Sequence, residues 1–154
     1  MSIILKNFIE CDDKLVYEII CWRNHNNIRL NSLNRNIIKI EEHREFIASL
    51  EHDKSRLYFV VENNNVNIGV ISFTNINKES AYIGYYKNPF LNINGIGQIL
   101  INTAKKYAKE CLVLKELFMV SYIDNIISQH CITKQGFEMI NINNNIIKYR
   151  LRLT

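Results

Sequence analysis

The chain has 154 residues, long enough to bury a core of its own, and it reads as a single domain over 1–154. Hydrophobic residues make up 47% and charged residues 22%, a balance that excludes a disordered chain. The formal charge of +4, with no run of five like charges, argues against a dedicated nucleic-acid binder and suits an anionic small ligand.

At the N-terminus, acidic residues follow a short apolar patch between Met1 and Asp13, which is not a signal-peptide layout. No stretch approaches the roughly 18 apolar residues of a membrane span, so no membrane partner is expected. Residues 3–8 read as a strand. Asp12 and Asp13 then offer a cap to a helix with Leu15, Val16, Ile19 and Ile20 on one side, ending near Trp22-Arg23-Asn24-His25. A second helix starts at Glu41-Glu42, and its stripe of His43, Phe46, Ile47 and Leu50 turns His43 inward or to a rim. Residues 57–63, 66–75 and 80–87 form three strands separated by Asn-rich turns, an antiparallel meander.

Next comes the segment Pro89-Phe90-Leu91-Asn92-Ile93-Asn94-Gly95-Ile96-Gly97-Gln98. Ile96, Ile99, Leu100, Thr103, Ala104, Tyr107 and Cys111 then recur at helical spacing, so the glycines sit where a helix begins. Lacking Cβ atoms, Gly95 and Gly97 let a bulky anion come close to amides that have no partner inside the helix. A strand over 116–123, a helix over 125–135 and two closing strands follow. In the last strand Ile147, Tyr149, Leu151 and Leu153 alternate with Lys148, Arg150 and Arg152, giving one buried and one solvated face. Cys11, Cys21, Cys111 and Cys131 are far apart and form no Cys-x-x-Cys pair, which fits a reduced cytoplasm; no metal is expected. Cys131 is read as a small apolar residue of the core.

The glycine segment resembles the pyrophosphate loop of the GNAT acetyltransferase superfamily, where a strand, Pro-x-aromatic and Arg/Gln-x-x-Gly-x-Gly/Ala precede a helix. Pro89, Gly95 and Gly97 fit, Asn92 replaces the leading Arg or Gln, and Ile93 replaces a frequent glycine. A second family element, Asn-x-x-Ala-x-x-Leu-Tyr-x-Lys-x-Gly-Phe, is matched by Asn125, Ser128, Cys131, Ile132, Lys134, Gly136 and Phe137. The resemblance implies an α/β fold with a mixed, mostly antiparallel twisted sheet and flanking helices. It also implies acetyl-CoA as co-substrate, held by Tyr85 and Lys87 on the strand, by Asn92, Asn94, Gly95, Ile96, Gly97 and Gln98 in the loop and first turn, and by Asn125.

Four further stretches are similar to one branch of the superfamily. They are Trp22-Arg23-Asn24-His25 with Ile28, Glu41-Glu42-His43 before Phe46-Ile47, Ile68-Gly69-Val70-Ile71, and Ile83-Gly84-Tyr85. The branch is the UDP-4-amino-4,6-dideoxy-N-acetyl-β-L-altrosamine N-acetyltransferases of pseudaminic acid biosynthesis, which makes sugars for flagellin glycosylation. Such an acceptor needs cations, aromatic planes and hydrogen-bonding groups. Trp22, Arg23, His25 and His43 supply that inventory, and Ser72, Thr74 and Tyr82 complete it from strands expected to face the cleft. The partner is then a small UDP-amino sugar, with a homodimer among the assemblies open to the chain.

Direct transfer requires a neutral amine, attack on the thioester and protonation of the departing thiolate. The resemblance puts a tyrosine in the last role, but Ile132 stands at its position; Tyr122 and Asp124 are the nearby substitutes. A positioned acid or base contributes roughly 10²–10⁴-fold, whereas holding the reactants in attack geometry is worth about 7–11 kcal/mol, so its loss need not abolish activity. Two alternatives stand beside this reading: a catalytically silent acyl-CoA-binding module, and an acetyltransferase for a protein N-terminus, a polyamine or another amine.

Overall fold

A computed structural model describes residues 2–153. The elements run β1 (Ile3–Asn7), a single 3-10 turn (Phe8–Glu10), α1 (Asp13–Asn24), α2 (Asn26–Arg29), α3 (Ile40–Leu50), β2 (Leu57–Asn63), β3 (Val66–Thr74) and β4 (Ser80–Lys87). They continue with α4 (Ile96–Glu110), β5 (Glu116–Tyr122), α5 (Ile126–Lys134), β6 (Glu138–Asn143) and β7 (Ile146–Arg152). Local chemistry accounts for most boundaries. The Asp12 side chain accepts from the Leu15 amide at 2.9 Å to start α1. The β2–β3 and β6–β7 turns are the asparagine runs, where Asn64, Asn65, Asn144 and Asn145 all take positive φ, as a tight hairpin turn requires. The short α2 is not marked by the sequence pattern, because four residues cannot display a helical period; His25 caps it by accepting from the Asn27 amide.

One seven-stranded sheet has the order β1-β2-β3-β4-β5-β7-β6, and every neighbouring pair is antiparallel except β4 and β5. Residue alternation divides two cores between the faces. Phe59, Val61, Ile71, Phe73, Ala81 and Ile83 pack against Leu100, Ile101 and Ala104 of α4 and Ile132 of α5. Val60 and Val70, of opposite parity, pack against Phe8, Leu15, Ile19, Trp22 and Leu50 under α1 and α3.

The parallel pair creates the functional opening. β4 and β5 are in register only at Ser80–Glu116, Ala81–Leu117 and Tyr82–Phe118. Beyond that β4 continues to Lys87, paired with β3, and β5 continues to Tyr122, paired with β7. The strands therefore part, and the inner edges of residues 83–87 and 119–122 have no strand partner across the split. Among the described residues no helix is long and apolar enough to cross a membrane.

Candidate active site

A cavity of about 1560 Å³ runs through the split, from the start of α4 on one face to the loop after α2 on the other. At the α4 end, Gly95 caps the helix with φ +84°, a conformation that side-chain-bearing residues adopt at a cost, and a Cβ there would meet nothing within 4 Å. No side chain caps α4, and its ladder opens with the Ile99 amide donating to the Gly95 carbonyl at 3.2 Å. The preceding amides, including those of Ile96, Gly97 and Gln98, are left for a ligand, at the positive end of a fifteen-residue helix dipole. Asn94 and Lys87 also line this end.

Gly97 has a packing role besides the one its spacing suggests. A Cβ on it would lie 2.9 Å from the Cys131 Sγ and 3.5 Å from the Tyr85 ring, so the glycine lets α5 close onto α4. Cys131 is correspondingly half-buried in the cavity wall, and burial pushes its thiol above the ordinary value. Asn125 caps α5, its side chain accepting from the Ser128 amide at 3.2 Å. Asn92 is exposed and lies outside the wall, so the loop offers Asn94 in its place.

On the opposite face the wall includes Arg23, Tyr58, Ser72, Thr74, Tyr82 and Tyr86. Arg23 donates through Nη2 to the Asn34 carbonyl at 2.5 Å, while its buried Nη1 has no protein partner. Burial, reinforced by nearby Arg29, lowers the guanidinium below its ordinary range, and among the described residues no carboxylate compensates the charge; the Tyr86 phenol works the other way. The Tyr82 ring lies 5.4 Å from Phe118, with the Lys148 Nζ 5.2 Å above it.

Several expected site residues lie elsewhere. Trp22 is 2% exposed and belongs to the core under α1, because one residue step turns the helix by about 100° and sends Trp22 inward while Arg23 reaches the cavity. His43 is likewise buried in the same layer, edge-on to Phe8 at 6.3 Å; burial lowers its imidazole below 6.5. His25 caps α2 and meets Phe90 edge-on rather than the cavity. The Tyr122 hydroxyl is committed to the main-chain carbonyls of Ser32 and Leu33 at 3.3 and 3.2 Å, and Arg35 stacks 4.2 Å over its ring. It ties down the loop that roofs the cavity and is not among the wall residues. Asp124 is exposed outside the wall. Ile132 is fully buried.

Sequence reasoning missed Tyr86, Ser121 and Lys134 in the wall. Residues 83–87 read as one strand, and only the parting of β4 from β5 turns such strand positions into a wall.

The parted parallel strands and the open amides of α4 define an acyltransferase of the GNAT type. Residues 19–137 match the Acetyltransferase (GNAT) family, and the chain belongs to that family. It is 40% identical over 121 residues to Acetyltransferase PseH of Campylobacter jejuni subsp. jejuni serotype O:23/36 (strain 81-176), covering 79% of this chain and 75% of that one. The crystal structure of Campylobacter jejuni N-acetyltransferase PseH in complex with acetyl coenzyme A is similar over 99% of this chain and 100% of that chain, with TM-score 0.84 and 31% identity. The spermidine N-acetyltransferase of Vibrio cholerae, crystallised with CoA and spermine, shares the fold at TM-score 0.85 but is 21% identical, over 97% and 95% of the two chains.

Proposed function

We propose that this acetyltransferase moves the acetyl group of acetyl-CoA directly onto the 4-amino group of a UDP-linked amino sugar, a step of pseudaminic acid biosynthesis that serves flagellin glycosylation. The observation that carries the reading is the charge of the cavity wall. Arg23, Lys87 and Lys134 line it, and among the described residues no aspartate or glutamate does. A polyamine, which is a polycation, would enter such a wall against repulsion and find no carboxylate to bind; two diphosphate-bearing substrates find cations at both ends.

The α4 amides and Lys87 suit the pyrophosphate of acetyl-CoA. Its pantetheine arm can lie between β4 and β5 as an extended segment, bonding to edges that lack a strand partner. The acceptor then approaches from the Arg23 face, where the guanidinium supplies a cation to the wall and Tyr58, Tyr82 and Tyr86 offer rings for uracil or sugar. The relationship to the PseH N-acetyltransferase chains supports acetyl-CoA as the donor and an amine as the acceptor. The test is thiol release from acetyl-CoA with and without the UDP-4-amino sugar. Sugar-dependent release is expected; release with spermidine or an N-terminal peptide in preference to the sugar would reject the acceptor, and acetyl-CoA binding with no turnover for any amine would favour a silent module.

A further inference from the structure

Position 132, on which the family resemblance rests the proton for the leaving thiolate, carries a fully buried isoleucine in the core between α4 and the sheet. Two hydroxyls of the cavity wall that face the same side of the sheet stand on the parted strands, on Tyr85 and Ser121. Tyr85 is three residues beyond Tyr82 and Ser121 three beyond Phe118, the last residues in register, so the two are level on either side of the split. The odd step turns both toward the α4/α5 face. There the Tyr85 hydroxyl lies 3.1 Å from the Ser128 Oγ, in the first turn of α5, and the Ser121 Oγ lies 3.0 Å from the Tyr149 hydroxyl. Tyr85, Ser128 and Ser121 belong to the cavity wall; Tyr149 is 2% exposed and reaches the cavity only through Ser121.

We propose that Tyr85, held by Ser128, is the catalytic proton donor to the departing coenzyme A sulfur. This rests on the acetyl-transfer reading of the cavity but not on which amine accepts the group. The acceptor nitrogen attacks the thioester carbonyl carbon, the C–N bond forms as the C–S bond breaks, and the electron pair leaves on sulfur, which takes the Tyr85 proton. The Tyr85 oxygen recovers a proton from Ser128, and Ser128 recovers one from cleft water, to which the attacking nitrogen gives up its own. The Tyr85 hydroxyl carries its proton and is held in place. Burial pushes the Tyr85 phenol well above its ordinary value of 10, against the opposing pull of the Ser128 hydrogen bond, so it stays protonated through the working pH range. The ring is immobilised between Gly97 and α5, which spares the ordering that a surface tyrosine would need.

The test uses Tyr85→Phe, which retains the ring and removes the hydroxyl, with Ser128→Ala, Ser121→Ala and Tyr149→Phe alongside. Thiol release is measured with the UDP-4-amino sugar and, separately, with hydroxylamine, a small nucleophile that needs no sugar site. Tyr85→Phe is expected to lower kcat about 10²–10⁴-fold with either acceptor, and Ser128→Ala by a smaller factor. The acetyl-CoA Kd by calorimetry should stay within about twofold, a split that a merely structural role would not give. Tyr149→Phe should keep most of the rate. A Tyr85→Phe protein with near wild-type kcat, or a loss that follows Ser121 and Tyr149 instead, overturns the proposal, as does a wild-type protein that binds acetyl-CoA and releases no thiol with either acceptor. An inert sugar with Tyr85-dependent hydroxylamine turnover would remove the sugar assignment and leave the donor standing. Should Tyr85→Phe fail to fold, Ser128→Ala decides by the same criteria.

Discussion

Replacing Gly97 by alanine adds one methyl at the junction of the two helices that build the acetyl-CoA end of the cavity. The new Cβ would lie 2.9 Å from the Cys131 Sγ and 3.5 Å from the Tyr85 ring, where non-bonded carbons are comfortable at about 3.5–4.0 Å. Neither neighbour is the free end of a long side chain, because Cys131 is anchored in α5 and the Tyr85 hydroxyl is bonded to Ser128. Overpacking of this kind costs about 1–3 kcal/mol, and the alanine returns up to about 1 kcal/mol of helix propensity, so a net loss of about 1–2 kcal/mol is expected. Cys131→Ala removes the obstructing sulfur. The double variant should therefore be more stable than the sum of the single effects, by about 1–2 kcal/mol of coupling. Urea denaturation of the four proteins measures this, with acetyl-CoA affinity followed by calorimetry. Single effects that add within about 0.5 kcal/mol would mean that α5 does not rest on Gly97, and the reason given for the glycine would be wrong.

Gly97→Glu adds a carboxylate beside the open α4 amides and should abolish acetyl-CoA binding; an unchanged calorimetric affinity would reject that end as the pyrophosphate site. Arg23→Ala should raise the acceptor KM about ten- to a hundredfold while leaving the acetyl-CoA Kd unchanged, and steady-state kinetics against both substrates would detect the opposite pattern. Ile132→Tyr forces a larger ring into a fully buried site and should cost about 1–3 kcal/mol by denaturant melt with no gain in kcat; a several-fold gain would show that the position still reaches the thioester. His43 titrates in the folded state below its ordinary 6.5, so its contribution to stability is present above that value and is lost as pH falls below it toward the depressed folded value. His43→Leu should flatten the stability profile just below pH 6.5, and an unchanged slope there would show that other groups set it.

Much of the fold was written in local patterns. The strands over 57–63 and 80–87 carry their own alternation and turn residues, and the start of α1 is announced by Asp12. The glycine segment was legible as a helix start, since a residue at φ +84° followed by an amphipathic fifteen-residue helix leaves a recognisable trace. The acceptor side was less so. Trp22, Arg23, His25 and His43 supply the chemistry a nucleotide sugar needs, yet only Arg23 lines the cavity, because the rotation of α1 and the packing of α3 decide which side chains are absorbed by the core. Tyr122 and Asp124 show the same limit: proximity in sequence to the thioester strand does not establish which way a hydroxyl is turned, and Tyr122 is used to hold the 32–33 loop.

The sequence by itself determined the order of the longer elements, the family and the anion-ready turn before α4, all of which depend on residues close together in the chain. Only the tertiary structure decided the site. Where β4 parts from β5, which hydroxyls are paired on each side of the split, and that no described carboxylate enters its wall are consequences of pairing between distant segments. Those pairings arise because each strand buries one face against helices on its own side of the sheet, a choice set by the whole core rather than by any one stretch of it.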